Sequence, residues 1–97
     1  MNSEPQRNRI TTANNDTVLH VAGYIWQGFM CHPNSTSIFK WEYEPEFQLL
    51  TVNYKSDPWK KYAYAGVGYE VLVGLLTTKS VGSFIAKTVK PNYELLT

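Results

Sequence analysis

Ninety-seven residues, 43% hydrophobic and 18% charged, are enough for one packed domain and little more, and they rule out wholesale disorder. Nine Lys and Arg against eight Asp and Glu leave a net charge of +1, too balanced for a protein that holds nucleic acid by bulk charge alone. The lone cysteine, Cys31, excludes an internal disulfide, and the most apolar stretch, Val18 to Met30, is too short and too interrupted to span a bilayer.

Residues 1–16 are polar, with Ile10 as the only large aliphatic, and read as a flexible N-terminal arm without the apolar run of a signal peptide. Residues 17–34 read as an extension that packs on the domain. Asp16 or Thr17 is placed to cap a helix in which Val18, Leu19, Ala22, Ile25, Trp26 and Phe29 recur at helical spacing. Two glycines and several β-branched residues keep a strand open as the alternative. Pro33-Asn34 marks a loop.

Ile38 to Glu44 alternates, with Phe39, Trp41 and Tyr43 expected on one side and Lys40, Glu42 and Glu44 on the other. A second strand is expected from Gln48 to Lys55, with Leu50, Val52 and Tyr54 on one face. A turn at Ser56-Asp57-Pro58-Trp59 leads to a third strand, Lys61 to Val67, where Tyr62 and Tyr64 share a face. Tyr69, Leu72, Val73 and Leu76 then fall at helical spacing. Ser80 is placed to cap a second helix carrying Val81, Phe84, Ile85, Thr88 and Val89, which Pro91 stops. Tyr93 to Leu96 reads as a short tail. The expected fold is α+β: a three-stranded antiparallel meander followed by two short helices, over residues 35–97, behind an N-terminal extension.

The order and spacing of residues from Ser35 to Tyr93 carry a family resemblance. They are Ser35-x-Ser37-Ile38, Tyr43, Leu50-x-Val52-x-Tyr54, Tyr62-x-Tyr64-x-x-Val67, Leu75-Leu76, Ser80-x-Gly82-x-Phe84-Ile85 and Val89-Lys90. This pattern resembles the KTSC domain, found at the C-terminus of some lysyl-tRNA synthetases and as a stand-alone bacterial or phage protein. The chain departs from it in three places. The long Asp57–Lys61 segment replaces a glycine turn, Gly68 stands where a proline is usual, and Lys90 replaces an arginine. What the resemblance implies about function is RNA binding, suspected from the association with the synthetase.

Chemistry-bearing residues are few. His20, Cys31 and His32 are the only candidates for a nucleophile or a metal cluster, and their spacing matches neither, so no catalytic residue, metal or cofactor is expected. Glu42, Glu44 and Glu46 read as a solvated strand face. Tyr62 and Tyr64 fit a stacking platform for bases or rings buried beneath the helices. Trp59 with Lys60 and Lys61 fits a partner anchor, and Lys79, Lys87 and Lys90 fit an extension of the same positive surface. The favoured expectation is a non-enzymatic module that binds a protein of the nucleic-acid machinery, as a phage-type modulator of a host nuclease, helicase or recombination enzyme would. Direct binding of single-stranded RNA or DNA through the Tyr and Trp rings and the lysines is the alternative. No membrane or small-molecule partner is expected, and the expected location is the cytoplasm, that of the host for a phage-encoded chain.

Overall fold

The computed structural model describes residues 6–24 and 27–96. Seven strands, β1 (Gln6–Thr11), β2 (Thr17–Ala22), β3 (Gln27–Cys31), β4 (Ile38–Glu44), β5 (Leu49–Tyr54), β6 (Asp57–Ala65) and β7 (Glu94–Leu95), form one sheet in chain order. Every neighbouring pair is antiparallel. Helix α1 (Tyr69–Thr77) and helix α2 (Val81–Phe84), which continues into a π-helical turn over Ile85–Val89, lie between β6 and β7 in the chain.

This corrects the expected architecture. The three expected strands exist as β4, β5 and β6, but they are part of a seven-stranded sheet and not a separate meander beneath two helices. Of the two alternatives for residues 17–34, the strand holds over the described residues and the helix does not: Thr17–Ala22 and Gln27–Cys31 are β2 and β3, hydrogen-bonded into that sheet. The β-branched Thr17, Val18 and Val21 favour extended backbone, and pairing outweighs the apparent helical spacing. Asp16 caps no helix; its Oδ1 accepts the Asn34 N–H (2.7 Å), tying the β1–β2 turn to the β3–β4 loop. The arm reading fails over Gln6–Thr11, which is β1, while residues 1–5, with Ile25 and Trp26, lie outside the described residues. The C-terminal tail supplies β7.

Cross-strand partners share a face, so the register shows where the core lies. One row runs Val18, Cys31, Trp41, Val52, Tyr62, and the next runs Phe29, Tyr43, Leu50, Tyr64. All of these except the half-buried Tyr62 are buried, together with Val71, Leu72 and Leu75 of α1 and Val81, Ile85 and Val89 of the second helical segment. The helices therefore cover one face of the sheet. The opposite face carries Leu19, Met30, Glu42, Thr51 and Ala63, all half-buried, and the Lys40–Glu42 ion pair (3.3 Å). A register shift between Ile38 and Lys40 corrects the expected side of Phe39. Ile38 is buried, while Phe39 is turned out and meets the His32 ring edge-on (5.1 Å).

Polar contacts fix the helices. Ser80 caps α2 as expected, accepting the Ser83 N–H (3.3 Å). The Ala13 N–H bonds the Leu76 carbonyl (2.8 Å), so the β1–β2 turn closes the end of α1. The Tyr43 hydroxyl donates to Val67 O (2.7 Å), anchoring the loop before α1, and burial raises that phenol above its ordinary pKa. Gly74 packs against α2, not against the sheet: a Cβ there would run into the Phe84 ring. Gly74→Ala gains about 1 kcal/mol of helix propensity but overpacks this contact at about 1–3 kcal/mol. A net loss of roughly 1 kcal/mol is expected by urea denaturation; net stabilisation would mean that Phe84 yields freely.

Candidate functional site

The aromatic and basic residues singled out above do not all meet, but a subset does. The β5–β6 connection is a two-residue turn at Lys55–Ser56, earlier than the expected Ser56–Trp59 turn, so Asp57 to Trp59 belong to β6. Between the pairs Val52↔Tyr62 and Tyr54↔Asp57, β5 advances two positions while β6 advances five. The four residues Pro58 to Lys61 therefore face Asn53 alone, a surplus of three that arches out as a bulge. Asn53, only 2% exposed, sits behind this arch, and its Nδ2 donates to the carbonyls of Pro58 (2.9 Å) and Lys60 (3.2 Å). The arch holds Trp59 away from the core, 92% exposed.

Beside the arch lies a cleft of about 290 Å³ lined by Tyr54, Ser56, Tyr62, Tyr64, Lys90 and Leu95. The Tyr54 and Tyr62 rings meet edge to face (5.2 Å). The Lys60 ammonium lies 5.1 Å from the Tyr62 ring centre, and the Lys90 ammonium lies 5.6 Å from that of Tyr54, so the cations rest on aromatic walls. Burial, and then the neighbouring Tyr64 phenol, push the Tyr54 phenol up to about 12; it remains a neutral hydroxyl at physiological pH. The π-helical turn delivers Lys90 here, ending in a Lys90 N–H bond to Ile85 O (3.0 Å), and such turns recur at functional sites. β7 pairs with the outer edge of β6 at Tyr64 and Ala65, and the Leu96 N–H that follows it bonds Ala63 O (2.7 Å). The arch, Pro58 and the lysines blunt the remainder against strand addition, so this edge offers side chains rather than backbone.

Two of the singled-out tyrosines differ in access. Tyr64 is 3% exposed and belongs to the core, which corrects its reading as a contact residue; it forms the base of the cleft. Tyr62 is half-buried and forms a wall. Lys61 is exposed on the arch. Lys87 is exposed on the π-helical turn, and Lys79 lines a different, polar cleft with Asn34 to Ser37 and Ser80 to Ser83, so neither lines the aromatic cleft. That polar cleft joins the two serine motifs of the sequence: Gly82 is seated so closely on Ser37 that a Cβ would meet its Oγ. Sequence reasoning missed Asn53 and the cleft role of Tyr54. The available signal was a polar Asn inside an apolar strand opposite a proline-bearing one.

Cys31 and His32 do not form a nucleophilic pair. Cys31 is buried, and burial followed by the Asp16 carboxylate pushes its thiol up to about 12, so it is protonated at neutral pH. The His32 Nδ1–H donates to Phe39 O (3.1 Å). His20 stacks on Phe29 (4.3 Å) and accepts from Gln27 Nε2 (3.0 Å). Among the described residues, no group of three or more His, Cys, Asp or Glu is placed to hold a metal, and no helix is long and apolar enough to cross a membrane.

No curated protein and no solved structure matches the chain. A family model, the KTSC domain, matches residues 34–93, which hold both walls of the cleft, the arch and the helices. That match spans more than half of the sequence, and the chain belongs to the KTSC domain family.

Proposed function

We propose that the chain is a non-enzymatic binding module for single-stranded nucleic acid, with the cleft walled by Tyr54 and Tyr62 and the adjoining Trp59 as its contact surface. The observation that carries this reading is the pairing of cations with rings: Lys90, which lines a cleft of about 290 Å³, lies over Tyr54, and Lys60 lies over Tyr62, one of the cleft's walls; the cleft is large enough to take a nucleobase. Unpaired bases stack on aromatic faces while lysines meet the phosphates, and stacking needs no particular sequence. The exposed Trp59 indole supplies a second platform on the same edge. The net charge of +1 then fits a weak binder whose affinity comes more from stacking than from charge. The inferred setting is the cytoplasm, where RNA and its processing enzymes meet.

The test is an anisotropy titration of fluorescein-labelled oligouridylate and oligothymidylate at low salt. Saturable binding in the micromolar range is expected. Two or three phosphate contacts predict a modest salt dependence, with log K falling by roughly 0.7 per contact for each decade of salt. Absence of binding at high micromolar protein would remove this reading.

One observation favours a second reading, in which the same edge docks a protein of the nucleic-acid machinery, such as a nuclease or helicase that the chain modulates. An isolated Trp standing clear of its own core is the usual form of an interface anchor. Capture of such a partner that survives nuclease treatment and is lost in Trp59→Ala would favour it over the first.

A further inference from the structure

We propose that Asn53 is the positioning residue of this site, setting the arch that presents Trp59 and Lys60 without touching the ligand. The inference rests on the nucleic-acid reading only for its affinity readout; its geometric part stands by itself. Asn53 is 2% exposed near the end of β5, where an amide has no packing advantage over the aliphatic residues around it. Its Nδ2 spends both protons on the carbonyls of Pro58 and Lys60, the residues that flank Trp59. These carbonyls belong to the part of β6 that has left the ladder, where the pairing with β5 skips from Tyr62 to Asp57. One side chain therefore ties the arch to β5 across the stretch where the register skips. Asn53 Oδ1 finds no partner, so the residue is kept in a costly buried position for its donor end alone. Lys60 is the cation over Tyr62, and fixing its carbonyl fixes where its side chain starts. Without the two bonds the arch is free to move, and the Trp59 ring and the Lys60 amine lose their common orientation; a pre-arranged surface binds more tightly than one that must be ordered on contact.

The experiment uses the full chain labelled with 5-fluorotryptophan, with the Trp59 fluorine resonance assigned by its loss in Trp59→Phe. Asn53→Asp keeps the shape but replaces the donor with an acceptor. Asn53→Leu deletes the donor without adding charge and also removes the unpaired Oδ1. In both, the Trp59 resonance is expected to shift and narrow while that of the buried Trp41 stays in place, and affinity for oligouridylate falls about tenfold. An unmoved Trp59 resonance in both variants overturns the proposal. So does a Trp41 resonance that moves with it, since the amide would then be supporting the whole fold. In the unaltered protein the Asn53 side-chain amide protons are expected to exchange slowly with water, and fast exchange overturns the proposal even if neither variant folds. Should the unaltered protein bind no oligonucleotide, the nucleic-acid reading falls, and the Trp59 resonance and the amide exchange still decide the role of Asn53.

Discussion

Trp59→Ala is expected to weaken oligonucleotide binding by about tenfold or more while leaving the melting temperature within a degree or two of the parent. The two halves of this expectation come from one fact. A ring that is 92% exposed contributes almost nothing to the core, so removing it leaves no cavity. The same ring offers both faces to a base, and base–aromatic stacking is worth about 1–3 kcal/mol per base when truncated to alanine. Tyr24, 94% exposed in the β2–β3 connection, provides the control. Tyr24→Ala removes a comparable exposed ring outside the cleft and its arch, and is expected to leave affinity unchanged. Equal losses in both variants would mean that binding is diffuse and owes nothing to the arch; no loss in either would take Trp59 out of the contact. Titration of each variant with oligouridylate, beside a thermal melt, separates these outcomes.

The largest effect on stability is expected at Leu72. This side chain is fully buried at the centre of α1, inside the cluster that joins the helices to the sheet. Alanine is at least as good a helix former as leucine, so Leu72→Ala costs nothing in helix propensity and the whole effect is packing. Removing a buried leucine typically costs about 2–5 kcal/mol, a large part of the roughly 5–15 kcal/mol that holds a domain of this kind together. A fall of roughly 10–20 °C in melting temperature follows for a chain of this size. Val73, next in sequence but turned to solvent, should tolerate alanine with a change of about 0.5 kcal/mol or less. If Leu72→Ala and Val73→Ala cost the same, α1 is not docked on the sheet as described. The comparison also bears on the cleft, because Lys90 reaches Tyr54 from the helical segment that packs beside α1.

The parts of the fold legible in the sequence are those encoded by local periodicity. Ile38–Glu44 shows the two-residue alternation of a half-buried strand and is β4 to the residue. A helix forms where Tyr69, Leu72, Val73 and Leu76 fall at helical spacing, but its buried face is Val71, Leu72 and Leu75, with Tyr69 and Val73 exposed; Ser80 precedes its helix as a cap must. The sheet north of Ile38 was not legible, because β1 is a polar strand whose pattern acquires meaning only against β2. In β2 and β3, residues that fall at helical spacing turn out to be split between the two faces of a sheet: Val18 and Phe29 face the helices, while Leu19 faces away. A strand has no internal hydrogen bonds, so a short segment with mixed signals becomes a strand only when a neighbour supplies the ladder.

The candidate site divides in the same way. Its ingredients, Trp59, Lys60, Tyr62 and Lys90, stand out in the sequence because exposed rings and cations beside a proline-marked turn are chemically conspicuous. Their assembly does not. Two register shifts, at Phe39 and at Pro58–Lys61, change which side a residue faces, and parity along a strand cannot be counted through a bulge whose place is unknown. Composition and periodicity by themselves determined the strand over Ile38–Glu44, the helix from Tyr69 and an aromatic, lysine-bearing stretch around Trp59, while the three-stranded meander they suggested is part of a seven-stranded sheet. Only the tertiary structure decided that Gln6–Thr11, Thr17–Ala22 and Gln27–Cys31 belong to the sheet, that Tyr64 is core while Tyr62 is wall, and that the Asn53 side chain bonds the arch. Each of those outcomes depends on hydrogen bonds between residues distant in the chain or across a bulge, and no local pattern encodes such partners.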